Sequence, residues 1–111
     1  MALMINLNAL EMKPHPKFKG VKIGFVVTKE KCKELSITVL EIEKGVEIPI
    51  HTHEKEADTI FVLEGKGKVF LNGEWKELKA GDVVVIPPKE EHGVVAETFL
   101  KCYIVHAPAL W

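Results

Sequence analysis

The sequence contains no arginine and no glutamine, and only two of its 111 residues are cysteines. Arginine carries the planar fork that grips a carboxylate or a phosphate at two points. An anionic ligand of this chain must therefore be held by lysine, histidine, backbone amides or a metal. Cys32 and Cys102 lie too far apart to form a Cys-x-x-Cys redox or zinc unit, although a long-range disulfide between them stays open.

Runs of one charge sign and long apolar runs are also missing. The 15 basic and 16 acidic residues leave a formal charge of -1, and no lysine stripe suited to phosphates is present, so we expect no nucleic-acid partner. The longest strongly apolar stretch, 83–86, is far short of the roughly 20 residues that cross a bilayer. Residues 1–12 lack the basic start and cleavage site of a signal peptide. We therefore expect a cytoplasmic protein without a membrane partner.

The charged residues that are present belong almost entirely to two types. All 15 basic residues are lysine, and 14 of the 16 acidic residues are glutamate. This composition is typical of hyperthermophiles, although an AT-rich genome also favours lysine, and it predicts a thermophilic source. With 47% hydrophobic residues, the length suits one domain over 1–111, of which 1–19 form an N-terminal arm.

Turn residues recur at short intervals, and the segments between them are rich in Val, Ile, Phe and Thr. This pattern favours short strands in a sandwich or barrel. Asn72-Gly73 predicts a type I′ hairpin in which Phe70 faces Trp75. The predicted strands cover 20–28, 35–43, 47–53, 59–63, 67–71, 74–78, 82–86, 92–96 and 99–106.

Four polar residues mark a candidate metal site. His51 and His53 are two apart in a predicted strand and share a face, a spacing from which two imidazoles can converge on one ion. The pair alone is equally consistent with two solvated side chains. Asp58 leads the next apolar segment, and His92 precedes a later one.

With these residues, the region 45–96 resembles the cupin superfamily. The first cupin motif is Gly, five residues, His-x-His, three or four residues, Glu, six residues, Gly, and every spacing holds here. The second is Gly, five residues, Pro-x-Gly, two residues, His, three residues, Asn. The matching positions are Gly45, His51, His53, Asp58 and Gly65 in the first motif, and Gly81, Pro87 and His92 in the second.

Three positions depart from the motifs. Lys89 replaces a glycine and Ala96 an asparagine, where the family varies, and we expect neither change to matter. Asp58 replaces the glutamate that is normally the carboxylate ligand, and it is shorter by roughly 1.5 Å. Asp58 either coordinates directly or acts through a water or a ligand imidazole. Glu56 is the competing carboxylate, but it falls outside the motif's register in a charged run.

The resemblance implies a fold, a cofactor and an assembly. The fold is an all-β double-stranded β-helix, or jelly-roll barrel, of two packed sheets. The cofactor is one divalent transition metal, Mn, Fe, Co, Ni, Cu or Zn, bound by His51, His53, Asp58 and His92. The assembly is a homodimer formed through the sheets or exchanged N-terminal strands, with 1–10 and the tail ending in Trp111 at the interface.

Three functional hypotheses follow from the resemblance. The first is a metalloenzyme acting on a small oxygen-bearing metabolite, as a dioxygenase or as an isomerase or lyase of sugar acids or keto acids. The second is a non-catalytic module that binds a small metabolite and acts through a partner protein. A purely structural metal ranks third, because structural ions are normally four-coordinate and closed.

Acid–base residues outside the predicted ligands are scarce. Cys102 shares parity with Leu100 and Ile104 and is predicted to be a core thiol. His106, beside Ala107 and Pro108, is predicted to be exposed at a strand end. This scarcity favours oxygen chemistry at the metal, or plain binding, over proton transfer.

Overall fold

Two antiparallel sheets form the body of the molecule in the computed structural model, which describes residues 2–111. The larger sheet has six strands in the order β1-β2-β3-β10-β5-β8, and the smaller has four in the order β4-β9-β6-β7. Within the described residues the only helical segment is a 3-10 turn, Leu7–Ala9. The strands are Lys13–Pro14 (β1), Val21–Val27 (β2), Ser36–Ile42 (β3), Glu47–His51 (β4), Ala57–Glu64 (β5), Lys66–Leu71 (β6), Glu74–Lys79 (β7), Val83–Ile86 (β8), His92–Ala96 (β9) and Leu100–Ala107 (β10).

The apolar core lies between the sheets because alternate residues of each strand point inward. Strand β10 shows the alternation most clearly, with Leu100, Cys102, Ile104 and His106 buried and the residues between them partly exposed. Branched aliphatic side chains from both sheets fill the interior. The predicted all-β fold of two packed sheets is confirmed.

All nine predicted strands are confirmed within two residues at each end. The hairpin is confirmed as well, since Phe70 pairs with Trp75 and Lys68 with Glu77 across β6 and β7. Strand β1 was not predicted, because two residues that include a proline carry no strand pattern.

Two differences in strand ends bear directly on the candidate site. Strand β4 ends at His51, two residues earlier than predicted, so His53 lies in the following loop. Strand β5 begins at Ala57, two residues earlier than predicted, so Asp58 belongs to the strand itself. Asp58 is therefore held between two neighbouring strands, opposite Ile86 of β8 and His106 of β10.

The backbone turns at motif positions explain part of the sequence pattern. Gly45 and Gly81, the first glycines of the two motifs, have φ angles of 84° and 94° that disfavour other residues. Lys89 has a φ of 72°, the conformation for which the motif normally uses glycine. The departure at Lys89 therefore places a non-glycine residue in the left-handed region.

The segment after β10 folds back along its own chain. The hydroxyl of Ser36 accepts hydrogen bonds from the backbone N–H groups of Leu110 and Trp111, at 3.0 and 3.4 Å. The Trp111 ring packs edge-on against Phe25 and His15. Trp111, predicted to lie at a subunit interface, thus contacts the barrel of its own chain.

Candidate metal centre

Four of the five histidines and one of the two aspartates meet inside the barrel. His51 at the end of β4 is the cross-strand partner of His92 at the start of β9. Asp58 in β5 is the cross-strand partner of His106 in β10. Each sheet thus supplies one pair, and the two pairs face each other across the interior. His53 follows β4, and its carbonyl accepts a hydrogen bond of 2.7 Å from the backbone N–H of Lys89.

The Asp58 carboxylate stands at the centre of this group. Its Oδ2 atom lies 3.2 Å from Nε2 of His92, 3.3 Å from Nε2 of His106 and 3.7 Å from Nε2 of His53. Asp58, His92 and His106 are only 4%, 2% and 5% exposed. Two sets of possible ligand atoms lie within 4.8 Å of one another: those of His51, His53 and His92, and those of His53, Asp58 and His106.

Backbone carbonyls fix the tautomers of two of these imidazoles. His51 donates from Nδ1 to the carbonyl of Pro49 at 2.8 Å, and His92 donates from Nδ1 to the carbonyl of Glu90 at 2.9 Å. A carbonyl only accepts, so in each neutral ring the proton is on Nδ1 and the Nε2 lone pair is free. A donated Nδ1–H of this kind is the usual support of a metal-binding histidine.

Several buried polar atoms of the group have no hydrogen-bond partner among the described residues. They are Asp58 Oδ1, His92 Nε2 and His106 Nδ1. An unpaired polar atom in a protein interior is costly and calls for an explanation such as an ion. The donor set therefore fits a divalent transition metal.

The titration of these groups reflects burial and their mutual contacts. Burial favours the neutral form of Asp58, but the contacts with His106 and His92 outweigh it and hold the Asp58 pKa well below its ordinary value. Burial also lowers the pKa of His51, and together with the neighbouring His106 it lowers the pKa of His53 to about 4. For His92, burial is outweighed by Asp58 and the Glu90 carbonyl, so the His92 pKa is raised.

His106 corrects the prediction that this histidine is exposed. It is buried beside Asp58, because β10 runs through to Ala107 with partners on both sides. The parity of His106 with Leu100, Cys102 and Ile104 is the sequence signal that indicates an inward side chain. The misleading feature was the Ala107-Pro108 pair that follows His106.

The remaining sequence predictions near the site have mixed outcomes. Cys102 is a buried core thiol, as predicted, and burial together with the charge of Asp58 raises its pKa to about 12. Both cysteines are free, so the long-range disulfide is absent. Glu56 is in the loop before β5 and is not in either group of candidate ligands.

The site opens into a cavity of about 570 Å³ inside the barrel. All five residues of the group line it, together with apolar side chains from both sheets. Ligand-binding cavities are commonly of roughly 300–1,000 Å³. A small molecule therefore has room beside the candidate metal ligands.

Comparison with known proteins identifies the family. The family model of the cupin domain matches residues 38–106, which is more than half of the chain and includes all five residues of the group. The chain belongs to the cupin family, and its two sheets form the double-stranded β-helix of that family.

Individual relatives agree with this assignment. An uncharacterized protein of Methanocaldococcus jannaschii is 31% identical over 81 residues, covering 72% of this chain and 55% of the relative. The chain thus spans about half the length of that relative. An RmlC-like cupin of Shewanella frigidimarina superposes with a TM-score of 0.85 at 25% identity, covering 99% of this chain and 94% of the other.

A second solved structure shows the same fold. It is described as a predicted oxalate decarboxylase of Thermotoga maritima, and it superposes with a TM-score of 0.85 at 22% identity over 96% of this chain and 99% of that one. In the described residues of the present chain, no helix is long and apolar enough to cross a membrane.

Proposed function

We propose that this chain is a metal-dependent enzyme in which His51, His53, His92 and Asp58 hold one divalent transition metal. The observation that carries the proposal is the cluster of His51, His53 and His92, whose possible ligand atoms lie within 4.8 Å of one another beside the buried carboxylate of Asp58. Two donors about 2.1 Å from one ion lie roughly 3.0–3.4 Å apart in octahedral or tetrahedral geometry. The separation of 3.2 Å between Asp58 Oδ2 and His92 Nε2 fits that range. Mn, Fe, Co, Ni, Cu and Zn all suit this donor set.

The charge of the site suits an oxygen-bearing substrate. Three neutral imidazoles and one carboxylate leave a divalent ion with a net positive charge, and such an ion polarises a bound oxygen atom of a substrate. Because the chain has no arginine, the metal and Lys17 are the cations facing the cavity when the histidines are neutral. The substrate we propose is a small metabolite bound through an oxygen atom.

Two reaction classes are compatible with the group. Dioxygenase-type chemistry would need the metal, dioxygen as the oxidant and a substrate of suitable shape, but no further residue that moves a proton. Isomerase or lyase chemistry needs in addition a group that holds or moves a proton. The buried imidazole of His106 lies beside Asp58 without belonging to the motif's ligand set, and it supports the second class.

A non-catalytic binding module is the second candidate function. The observation in its favour is an exposed apolar patch on the outer face of the six-stranded sheet, formed by Phe61 in β5 and Val83 and Val85 in β8. Exposed apolar patches commonly mark contacts with other proteins. The same patch, together with the exposed Leu3 and Met4 of the N-terminal arm, also supports the homodimer proposed from the sequence.

The enzyme proposal is tested with protein freed of metal and then reloaded with each of the six metals separately. Oxygen consumption and substrate conversion are measured on a panel of small carboxylic and keto acids. We expect turnover with at least one metal and its loss in His92→Ala. Binding of ligands by a loaded protein that turns none of them over would favour the binding module.

The assembly is tested separately by sedimentation of the wild type and of Val85→Glu. A dimer that dissociates in the variant would place the patch at the interface. A wild type that sediments as a monomer would contradict the homodimer.

A further inference from the structure

The cavity beside the candidate metal centre is apolar over most of its wall. Buried aliphatic side chains from six strands face it. They include six, one from each strand: Ile23 of β2, Ile42 of β3, Ile48 of β4, Ile60 of β5, Val94 of β9 and Ile104 of β10. A ligand that fills the cavity is therefore surrounded by hydrocarbon from both sheets.

Hydrogen-bonding groups in the wall are few outside the metal centre. Among the buried lining residues, only Thr38 and Cys102 add a polar side-chain atom. Lys17 and Thr52 also line the cavity, but both are exposed and His15 is partly exposed, which places them at the mouth. A hydroxyl group buried without a partner is costly. A ligand carrying a hydroxyl on every carbon thus lacks partners for most of them.

The mouth is bounded by the segment that follows β10. The backbone carbonyl of Trp111 accepts a hydrogen bond of 2.6 Å from the N–H of Lys29, and the Ser36 hydroxyl binds the same segment from the other side. The indole of Trp111 lines the cavity next to Phe18. This side of the mouth is therefore apolar and aromatic, and the polar groups at the opening are those of Lys17, Thr52 and His15.

We propose that this cavity binds a small monocarboxylate with a hydrocarbon body, and that sugar acids are not its ligands. The inference rests on the proposed function, since the carboxylate is placed at the metal held by His51, His53, His92 and Asp58. The hydrocarbon body lies against the six aliphatic side chains. In this placement the carboxylate, the only strongly polar part of the ligand, lies at the polar end of the cavity.

The first experiment tests the cavity without metal. Trp75→Phe leaves Trp111 as the single tryptophan, so the fluorescence of Trp111 reports on ligand binding at the mouth of the cavity. Calorimetry on the same mixtures checks each titration. Chelator-treated protein is titrated with straight-chain alcohols from butanol to octanol. We expect the affinity to rise about fourfold per methylene. An affinity that does not depend on chain length, or no saturable binding of any alcohol, would overturn the proposal.

The second experiment uses zinc-loaded protein and two six-carbon acids, hexanoate and gluconate. We expect hexanoate to bind at least about tenfold more tightly, because the gluconate hydroxyls are left without partners. Gluconate binding as tightly as hexanoate would overturn the proposal. If neither zinc nor any of the other five metals binds while the alcohol series holds, the proposed metal function fails and the apolar cavity stands.

A matched pair of isosteric variants separates the cavity from general packing. Val94 and Val84 are both buried valines, but only Val94 lines the cavity. We expect Val94→Thr to weaken hexanol binding about fivefold and Val84→Thr to change it less than about twofold. Equal effects of the two variants would contradict the proposed location of the hydrocarbon body.

Discussion

Replacing Asp58 by asparagine tests the buried carboxylate at the centre of the candidate site. In metal-free protein at pH 5.5, below the raised pKa of His92, its ring is charged, and the Nε2 atoms of His92 and His106 lie 3.2 Å and 3.3 Å from Asp58 Oδ2 as N–H donors. Contacts of this kind to a buried charge are worth roughly 1.5–3 kcal/mol each, and removal of one partner of a buried pair costs about 3–5 kcal/mol. The amide of Asp58→Asn keeps the shape of the side chain and removes the cost of burying a charge, which offsets part of the loss. We therefore expect the free energy of unfolding to fall by about 2–3 kcal/mol.

The assay is urea unfolding of chelator-treated protein at pH 5.5, with Asp82→Asn as the matched control. Asp82 is the other aspartate in the chain, and its side chain, about one third exposed, accepts a hydrogen bond from the backbone N–H of Lys79 in the turn before β8. We expect the control to lose less than about 0.5 kcal/mol. Equal unfolding free energies for the two variants would refute the assigned contacts of Asp58.

The same Asp58→Asn variant also reports on metal binding. Loss of a residue that only orients a ligand lowers metal affinity about 10- to 100-fold, and loss of a direct ligand lowers it further. Asp58→Glu restores the motif's carboxylate and is expected to retain the metal. An unchanged metal affinity in Asp58→Asn would exclude the carboxylate from the site.

Three further predictions concern single residues. Lys89→Gly relieves the strain of a φ of 72° and is expected to raise the free energy of unfolding in urea titrations by about 1 kcal/mol. The control Lys55→Gly lies at a non-helical position with a negative φ and is expected to bring no such gain. Ellman's reagent is expected to titrate one thiol per folded chain, the partly exposed Cys32, and none in Cys32→Ser, because Cys102 is buried with a pKa of about 12; two reactive thiols would contradict this. In metal-free protein, the His53 pKa of about 4 lies below the pKa of the same histidine in the unfolded chain. The unfolded state therefore binds more protons between about pH 6.5 and 4, and the free energy of unfolding falls as the pH falls through this range. An equally steep fall of the unfolding free energy in His53→Gln would contradict this prediction.

The parts of the fold that the sequence predicted are those with a local signal. Asn72-Gly73 determines its hairpin through two adjacent residues with positive φ, and the pairing of Phe70 with Trp75 follows from that turn. The motif spacings likewise predicted that His51 and His92 lie in one site, and the two residues are cross-strand partners in β4 and β9.

The parts that were missed depend on contacts distant in the sequence. The Ser36 hydroxyl binds the segment ending in Trp111 some 75 positions away, and no local pattern indicates that contact. Strand β1 exists only because β2 offers it an edge. His106 was open to prediction from its parity in β10, but its contact with Asp58 depends on the pairing of β10 with β5.

Metal analysis of untagged protein is the decisive test of whether His51, His53, His92 and Asp58 hold a metal. The wild type is compared with His92→Ala and with His15→Ala, a control at the cavity mouth outside both groups of candidate ligands. We expect close to one transition-metal ion per chain in the wild type and in His15→Ala, and loss of that ion in His92→Ala. A wild type that carries no metal and takes none up on reloading would contradict it.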